Sequence, residues 1–151
     1  MDYKGAAALL GRWDNILILT HKRPDGDTIG SAAGLCALLR QVGKRAWILP
    51  NDGATARLRP YLAGYEAPAD FRPDKVVSVD VATEKLLTEE GLEILASRGV
   101  DLAIDHHATH DVFAREVCVE ADKAACGEII YKLVAELGTL TEAVATPQSK
   151  R

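Results

Sequence analysis

The sequence predicts an α/β fold, a mostly parallel β-sheet flanked by helices on both faces. Three observations predict it. Short aliphatic runs alternate with longer segments whose apolar residues recur at helical spacing. The first run, Ile16-Leu17-Ile18-Leu19, is apolar at every position, as a strand buried on both faces is. The runs lie a helix-length crossover apart, and such crossovers make neighbouring strands parallel.

In chain order, Ile16–Leu19 is the first strand. A polar loop from His21 to Gly30 precedes a helix with Leu35, Leu38, Leu39 and Val42 along one face. Gly43 stands where a helix C-terminal glycine would, and Ala46–Leu49 is a second strand before Pro50. The stretch 51–73, rich in Gly, Ala and Pro, has room for a short helix around Ala56–Leu62. Val76–Val79 is a third strand. A helix from about Glu84 to Arg98 follows, with Gly91 as a weak point inside it, and Gly99 ends it. Val100–Ile104 is a fourth strand, and Glu116–Val119 a short edge strand. Ala124–Leu137 is a helix with Ile129, Ile130, Leu133, Val134 and Leu137 on its buried side, closed by Gly138. Thr141 is placed to cap one more helix, which Pro147 and the polar tail 147–151 would stop. Trp13 and Trp47 are expected in or near the core.

The 151 residues suit one domain, and the 48% apolar and 26% charged content is that of an ordinary globular protein. A net charge of −4 argues against broad binding to long nucleic acid, which needs a basic footprint, but not against a short phosphate-rich ligand. Cys36, Cys118 and Cys126 are odd in number and without a CxxC pattern, as buried free thiols of a reducing compartment are. The start, Met1–Leu10, carries only a five-residue apolar run, too short for a secretory signal, and no segment approaches a bilayer span. A cytoplasmic protein with no membrane partner is the expectation.

The chemistry sits at three strand ends. The first strand leads into Thr20-His21-Lys22-Arg23-Pro24-Asp25-Gly26-Asp27, the third ends in Asp80, and the fourth in Asp105-His106-His107. Ligands of open α/β sheets bind outside the carboxyl ends of strands, and all three clusters should emerge on that edge. Unpaired, so many carboxylates would repel each other and shift upward in pKa; divalent cations would relieve that. Mixed imidazole and carboxylate donors suit Mn, Fe, Co or Zn. Two ions held ~3.5–4 Å apart need a bridging carboxylate. Asp80, alone on the middle segment, is the natural bridge, although an aspartate after a strand is also a common helix cap. His110 is read as a surface histidine. Lys22 and Arg23 are read either as contacts to substrate phosphates or as solvated charges.

Residues His21 to Ser31 resemble the first motif of the DHH phosphoesterases, and Asp105-His106-His107 is similar to the triplet that names them. Asp80 lies where their second motif has its aspartate, and Cys126-Gly127-Glu128-Ile129-Ile130-Tyr131 resembles the helix that follows. The resemblance runs from about Ile16 to Leu137, nearest the branch of nanoRNases and pAp phosphatases, with RecJ-type exonucleases and cyclic-di-AMP phosphodiesterases more remote. It implies two divalent ions, Mn²⁺ by preference, with Mg²⁺, Co²⁺ or Zn²⁺ as alternatives. His21 and Asp25 would hold the first, Asp27 and His106 the second, with Asp80 shared. His107 would act on the phosphate as catalytic group and substrate contact, and Asp105 would orient an imidazole. Gly30 and Ser31, expected at the helix opening, would offer amides to an anion.

Family members also have a fourth-motif aspartate and a C-terminal DHHA1-type domain that grips substrate. Residues 1–146 are expected to form the DHH domain, ending before that aspartate, and weak or no activity is expected of this chain alone. Self-association into a homodimer is allowed. Three functions follow. The first is hydrolysis of short oligonucleotides or 3′-phosphoadenosine 5′-phosphate by an activated hydroxide. The second is a non-catalytic metal- or nucleotide-binding or dimerisation module. The third is hydrolysis of polyphosphate, pyrophosphate or a cyclic dinucleotide.

Overall fold

A computed structural model of the chain describes residues 1–149, with side chains to Thr141. Five strands form one sheet in the order β2-β1-β3-β4-β5, and every pairing is parallel. The strands are β1 (Ile16–Leu19), β2 (Ala46–Ile48), β3 (Lys75–Val79), β4 (Val100–Asp105) and β5 (Ala114–Val119). The helices are α1 (Tyr3–Arg12), α2 (Gly26–Gln41), α3 (Glu89–Ser97) and α4 (Cys126–Ser149). From β1 the chain steps outward to β2, then returns past β1 to β3. The strand order therefore reverses between β1 and β3, and ligands of open α/β sheets bind at the carboxyl ends of strands at such a reversal.

Side-chain alternation splits the core into two layers. Ile16, Ile18, Val77, Val79, Leu102 and Ile104 face α1, α2 and α4. Leu17, Leu19, Val76, Val100 and Ala103 face the other way, toward Ile94 and Leu95 of α3, Leu87 and Phe71. Every residue of β4 is buried, including Asp101 near its start and Asp105 at its end. At the amino-terminal edge Asp101 accepts hydrogen bonds from Arg98, Arg115 and the Val76 amide at 2.6–2.8 Å. That edge is thereby closed with structural ion pairs, and the carboxyl edge is left for chemistry. Trp13 and Trp47 pack partly buried against the two layers, and all three cysteines are buried and free.

Several expectations needed correction. The apolar start of the chain, to which the sequence pattern assigned no element, is helical: Asp2 caps α1, accepting from the Gly5 amide, and Ala6, Ala7 and Leu10 are buried against α4. The polar loop after β1 is shorter than expected, because Asp25 caps α2 through the Thr28 amide and the helix opens at Gly26. Gly30 and Ser31 therefore lie within the helix, their amides engaged by its own ladder rather than free for an anion.

The helix expected from Glu84 to Arg98 is broken at Leu87. Leu87 is buried and bridges His21 in extended conformation, and a new cap at Thr88 starts α3. A Cβ at Gly91 would lie 3.2 Å from the capping Thr88 Oγ1, so this glycine belongs to the cap. The stretch around Ala56–Leu62 holds only a 3₁₀ turn, Arg59–Leu62.

Gly138 does not end the last helix. It lacks the positive φ seen at Gly43 and Gly99, and α4 runs through to Ser149. Thr139 and Thr141, one a proposed cap, instead return their hydroxyls to the carbonyls of Ala135 and Leu137. The expected tail from 147 is helical as far as Ser149, and positions 150–151 lie outside the described residues.

Candidate active site

Three loops at the carboxyl edge bring the acidic and imidazole groups together. Asp80 leaves β3 with φ of 61°, in the left-handed region that few non-glycine residues adopt, and its amide is held by the Ile104 carbonyl. That turn aims its carboxylate back over the sheet end, where it is 5% exposed. Thr28 of α2 donates to Asp80 Oδ2 at 2.7 Å, and the same hydroxyl stands 3.0 Å from Asp25 Oδ1. One threonine thus ties the first and second acidic segments.

The triplet after β4 supplies the other wall. His106 Nε2 lies 3.2 Å from Asp80 Oδ1 and 3.9 Å from Asp27 Oδ2. His107 stacks on His106 with ring centroids 4.3 Å apart. Asp105 is fully buried and both its oxygens are engaged: His107 Nδ1 at 2.6 Å and His110 Nδ1 at 2.8 Å. His110 is therefore not a surface residue. Its side chain is 3% exposed, packed beside the Phe113 ring, because the Asp111 amide bonds the Ala82 carbonyl and folds the loop inward. No periodicity or motif pointed to it; only an acid with two oxygens to satisfy, five residues upstream, was a clue.

Asp27 receives what sequence reasoning did not foresee. The first amides of α4, at Cys126 and Gly127, both donate to its carboxylate at 3.0 Å. A Cβ at position 127 would come 3.3 Å from Asp27 Oδ1, so glycine allows α4 to approach this closely. Ser31 also turns toward Asp27, with Oγ 3.4 Å from Oδ1. Two helix N-termini, of α2 and α4, thus place their positive ends against the acidic cluster.

His21 is held by its backbone. The Asn51 side chain donates to Thr20 Oγ1 at 2.8 Å and to the His21 carbonyl at 2.7 Å, while the neighbouring Lys22 amide bonds Leu86. Nδ1 of His21 accepts the Arg23 amide at 2.9 Å, which leaves Nε2 for another partner. Burial holds the His21 imidazole below its usual pKa, although Asp80 and Asp25 act in the opposite sense. Asp25 is held below the usual carboxylate range, mainly by the Thr28 amide. Asp80 is pushed up, first by burial and then by the charges of Asp27 and Asp25, against the pull of Thr28 and His106.

A cation fits this arrangement. Asp80 Oδ1 is buried with no hydrogen-bond donor, and one donor atom from each of Asp80, Asp105, His106 and His107 lies within 4.8 Å of the others. A buried carboxylate oxygen without a partner, crowded by two further acids, is electrostatically costly until a positive charge meets it. The donors are imidazole nitrogen and carboxylate oxygen, suited to Mn²⁺, Co²⁺ or Zn²⁺. Gly30 lies farther round α2, exposed, and makes no contact with these groups.

The family described as "DHH family, N-terminal domain" matches residues 15–149. The chain is 32% identical, over 133 residues, to the bifunctional oligoribonuclease and PAP phosphatase NrnA of Thermus thermophilus; the match covers 87% of this chain and 40% of that protein. Among solved structures it superimposes on an exopolyphosphatase-related protein from Bacteroides fragilis with a TM-score of 0.75 at 25% identity, over 90% of this chain and 44% of the other. Exonuclease RecJ, solved bound to manganese, shares the fold at 19% identity with a TM-score of 0.58, over 91% of this chain and 37% of RecJ. The chain thus spans less than half the length of the relatives it matches. Among the described residues no helix is long and apolar enough to cross a membrane. With the ordered acidic and histidine segments meeting at one sheet edge, and with a match along nearly its whole length, this chain belongs to the DHH family as an N-terminal domain.

Proposed function

We propose that this chain is the catalytic domain of a two-metal phosphoesterase that cleaves short oligonucleotides or 3′-phosphoadenosine 5′-phosphate. The observation that carries the reading is the unpartnered, buried Asp80 Oδ1 with His106 Nε2 3.2 Å away. The substrate class is supported by the likeness to NrnA, an oligoribonuclease and PAP phosphatase.

His21, Asp25 and Asp80 would hold one ion, and Asp27, His106 and Asp80 the other. The amides on Asp27 do not prevent this, since each carboxylate oxygen has a second lone pair. When bound, the ions would neutralise the phosphoryl oxygens and activate a water at neutral pH. The residues do the rest. Asp105 accepts from His107 Nδ1, which orients the ring; with the ring doubly protonated, Nε2 would donate to a phosphoryl or leaving oxygen. Thr28 keeps the Asp80 carboxylate in one rotamer by holding Oδ2 and leaves Oδ1 for a cation. The match to only 40% of NrnA supports a further domain that would complete the substrate cleft in a longer form.

The test is Mn²⁺ binding by calorimetry, together with mononucleotide release from a dinucleotide at enzyme excess. Saturable binding and metal-dependent release are expected, both lost in Asp80→Asn. Absence of saturable Mn²⁺ binding to the folded chain would overturn the proposal.

A further inference from the structure

The acidic cluster explains how a phosphate would be met, but nothing in it distinguishes a nucleotide from inorganic polyphosphate. A second feature beside it does. A cavity of about 400 Å³ is lined by Gly26, Ile29, Gly30, Arg57, Leu58 and Tyr61. Gly26 stands between Asp25 and Asp27, so the cavity borders the first turn of α2, the turn that carries both acids.

The walls have the chemistry of a slot for a flat ring. Gly26 and Gly30 are one helical turn apart on the same face, and a Cβ at either would meet nothing within 4 Å. The floor is therefore bare backbone over buried Ile29. Tyr61 also lines the cavity, with 64% of its surface open although Leu62, next to it in the 3₁₀ turn, is 2% exposed. The ring is thus presented outward on an anchored turn rather than left loose. Arg57 is the one side chain in the lining that is charged at neutral pH. Its guanidinium can stack on a base or meet a phosphate, whereas an inorganic chain of phosphates has no use for an aromatic wall.

We infer that the slot between the Gly26–Gly30 face and Tyr61 seats the nucleobase of the substrate, with Arg57 beside it, and so selects nucleotides over base-free phosphates. The inference rests on the phosphoesterase reading and names the part of the substrate that reading leaves open.

The experiment compares adenosine 5′-monophosphate with ribose 5-phosphate, each titrated into the Mn²⁺-loaded chain. Aromatic stacking of one base implies a preference for the nucleotide of about 5–150-fold. That ratio should fall toward one in Tyr61→Ala and be retained in Tyr61→Phe, which keeps the ring face. Gly30→Leu, which fills the floor from an exposed helical position, should also lower it. Circular dichroism checks that each variant is folded. Equal affinity for the two ligands in the unaltered chain, or an unchanged ratio in Tyr61→Ala, overturns the base slot and leaves the metal site standing. Failure of both ligands to bind in the presence of Mn²⁺ would instead remove the phosphoesterase reading, and the slot with it.

Discussion

Gly53→Ala is expected to unlatch the loop that carries His21. An added Cβ at position 53 would lie 1.9 Å from the Lys22 carbonyl oxygen and 3.1 Å from Asn51 Oδ1. Ordinary contact begins near 3.4 Å, so the two backbones must separate by more than 1 Å. Neither is a flexible side-chain tip. Lys22 is held by the Leu86 carbonyl at 2.7 Å, and Gly53 by Asn51 Oδ1 at 2.9 Å. Overpacking of this kind costs about 1–3 kcal/mol. The separation also strains the two Asn51 hydrogen bonds to Thr20 and His21, each contributing about 1 kcal/mol. A loss of about 3 kcal/mol follows, or a fall in Tm of roughly 6–12 °C for a chain of this size.

The functional effect should exceed the loss of stability, because His21 moves with Lys22. Urea denaturation followed by circular dichroism gives the first quantity, and Mn²⁺ calorimetry at low temperature, where the variant remains folded, the second. A weaker Mn²⁺ affinity is expected even in fully folded protein. If Gly53→Ala unfolds within about 0.5 kcal/mol of the unaltered chain, the loop is not latched as described. If it is destabilised but binds Mn²⁺ unchanged, His21 is not a ligand.

Gly138→Ala should act in the opposite sense, because its Cβ would meet nothing within 4 Å and its φ is not positive; about 1 kcal/mol of added stability in urea is expected. Asp101→Ala leaves the Arg98 and Arg115 guanidiniums and the Val76 amide without their shared acceptor, and should cost about 3 kcal/mol in the same assay while leaving Mn²⁺ affinity intact at the far edge of the sheet. For Asp80 the folded pKa lies above the unfolded one, so its ionisation opposes folding, and stability falls as pH rises from the unfolded value of about 3.8 through the folded one. Metal-free Asp80→Asn should therefore gain stability relative to the unaltered protein over that rise and keep the gain at pH 7, yet show no Mn²⁺-induced increase in Tm. The three thiols should resist an aromatic disulfide reagent at pH 8 until urea unfolds the chain, since burial raises Cys36 to about 11, Cys118 to about 12 and Cys126 further still.

What could be read from the sequence divides by the range of the interactions involved. Strand β1 was legible because four consecutive buried positions leave little choice but aliphatic residues. The end of α2 was legible at Gly43, whose φ of 88° few other residues adopt. The broken helix at Leu87 was not legible, since its apolar spacing suits a helix and the extended form is imposed by pairing with His21, distant in sequence. Gly138 misled for the converse reason. A glycine near the end of an apolar stripe is a stop signal only when nothing extends the helix, and here α4 continues past it.

The site shows the same division. Residue types and their order at three strand ends were enough to mark His21, Asp25, Asp27, Asp80 and the Asp105-His106-His107 triplet as one group, because a parallel sheet sends the ends of its strands to a common edge. Which partner each side chain takes was decided by tertiary structure alone. Contacts across the chain direct the α4 amides onto Asp27, place Thr28 between Asp25 and Asp80, and fold His110 inward to share Asp105 with His107. Backbone periodicity is a local property that a sequence carries in plain view. The pairing of a hydroxyl or an imidazole with a carboxylate depends on ångström-scale positions that exist only once the layers have packed.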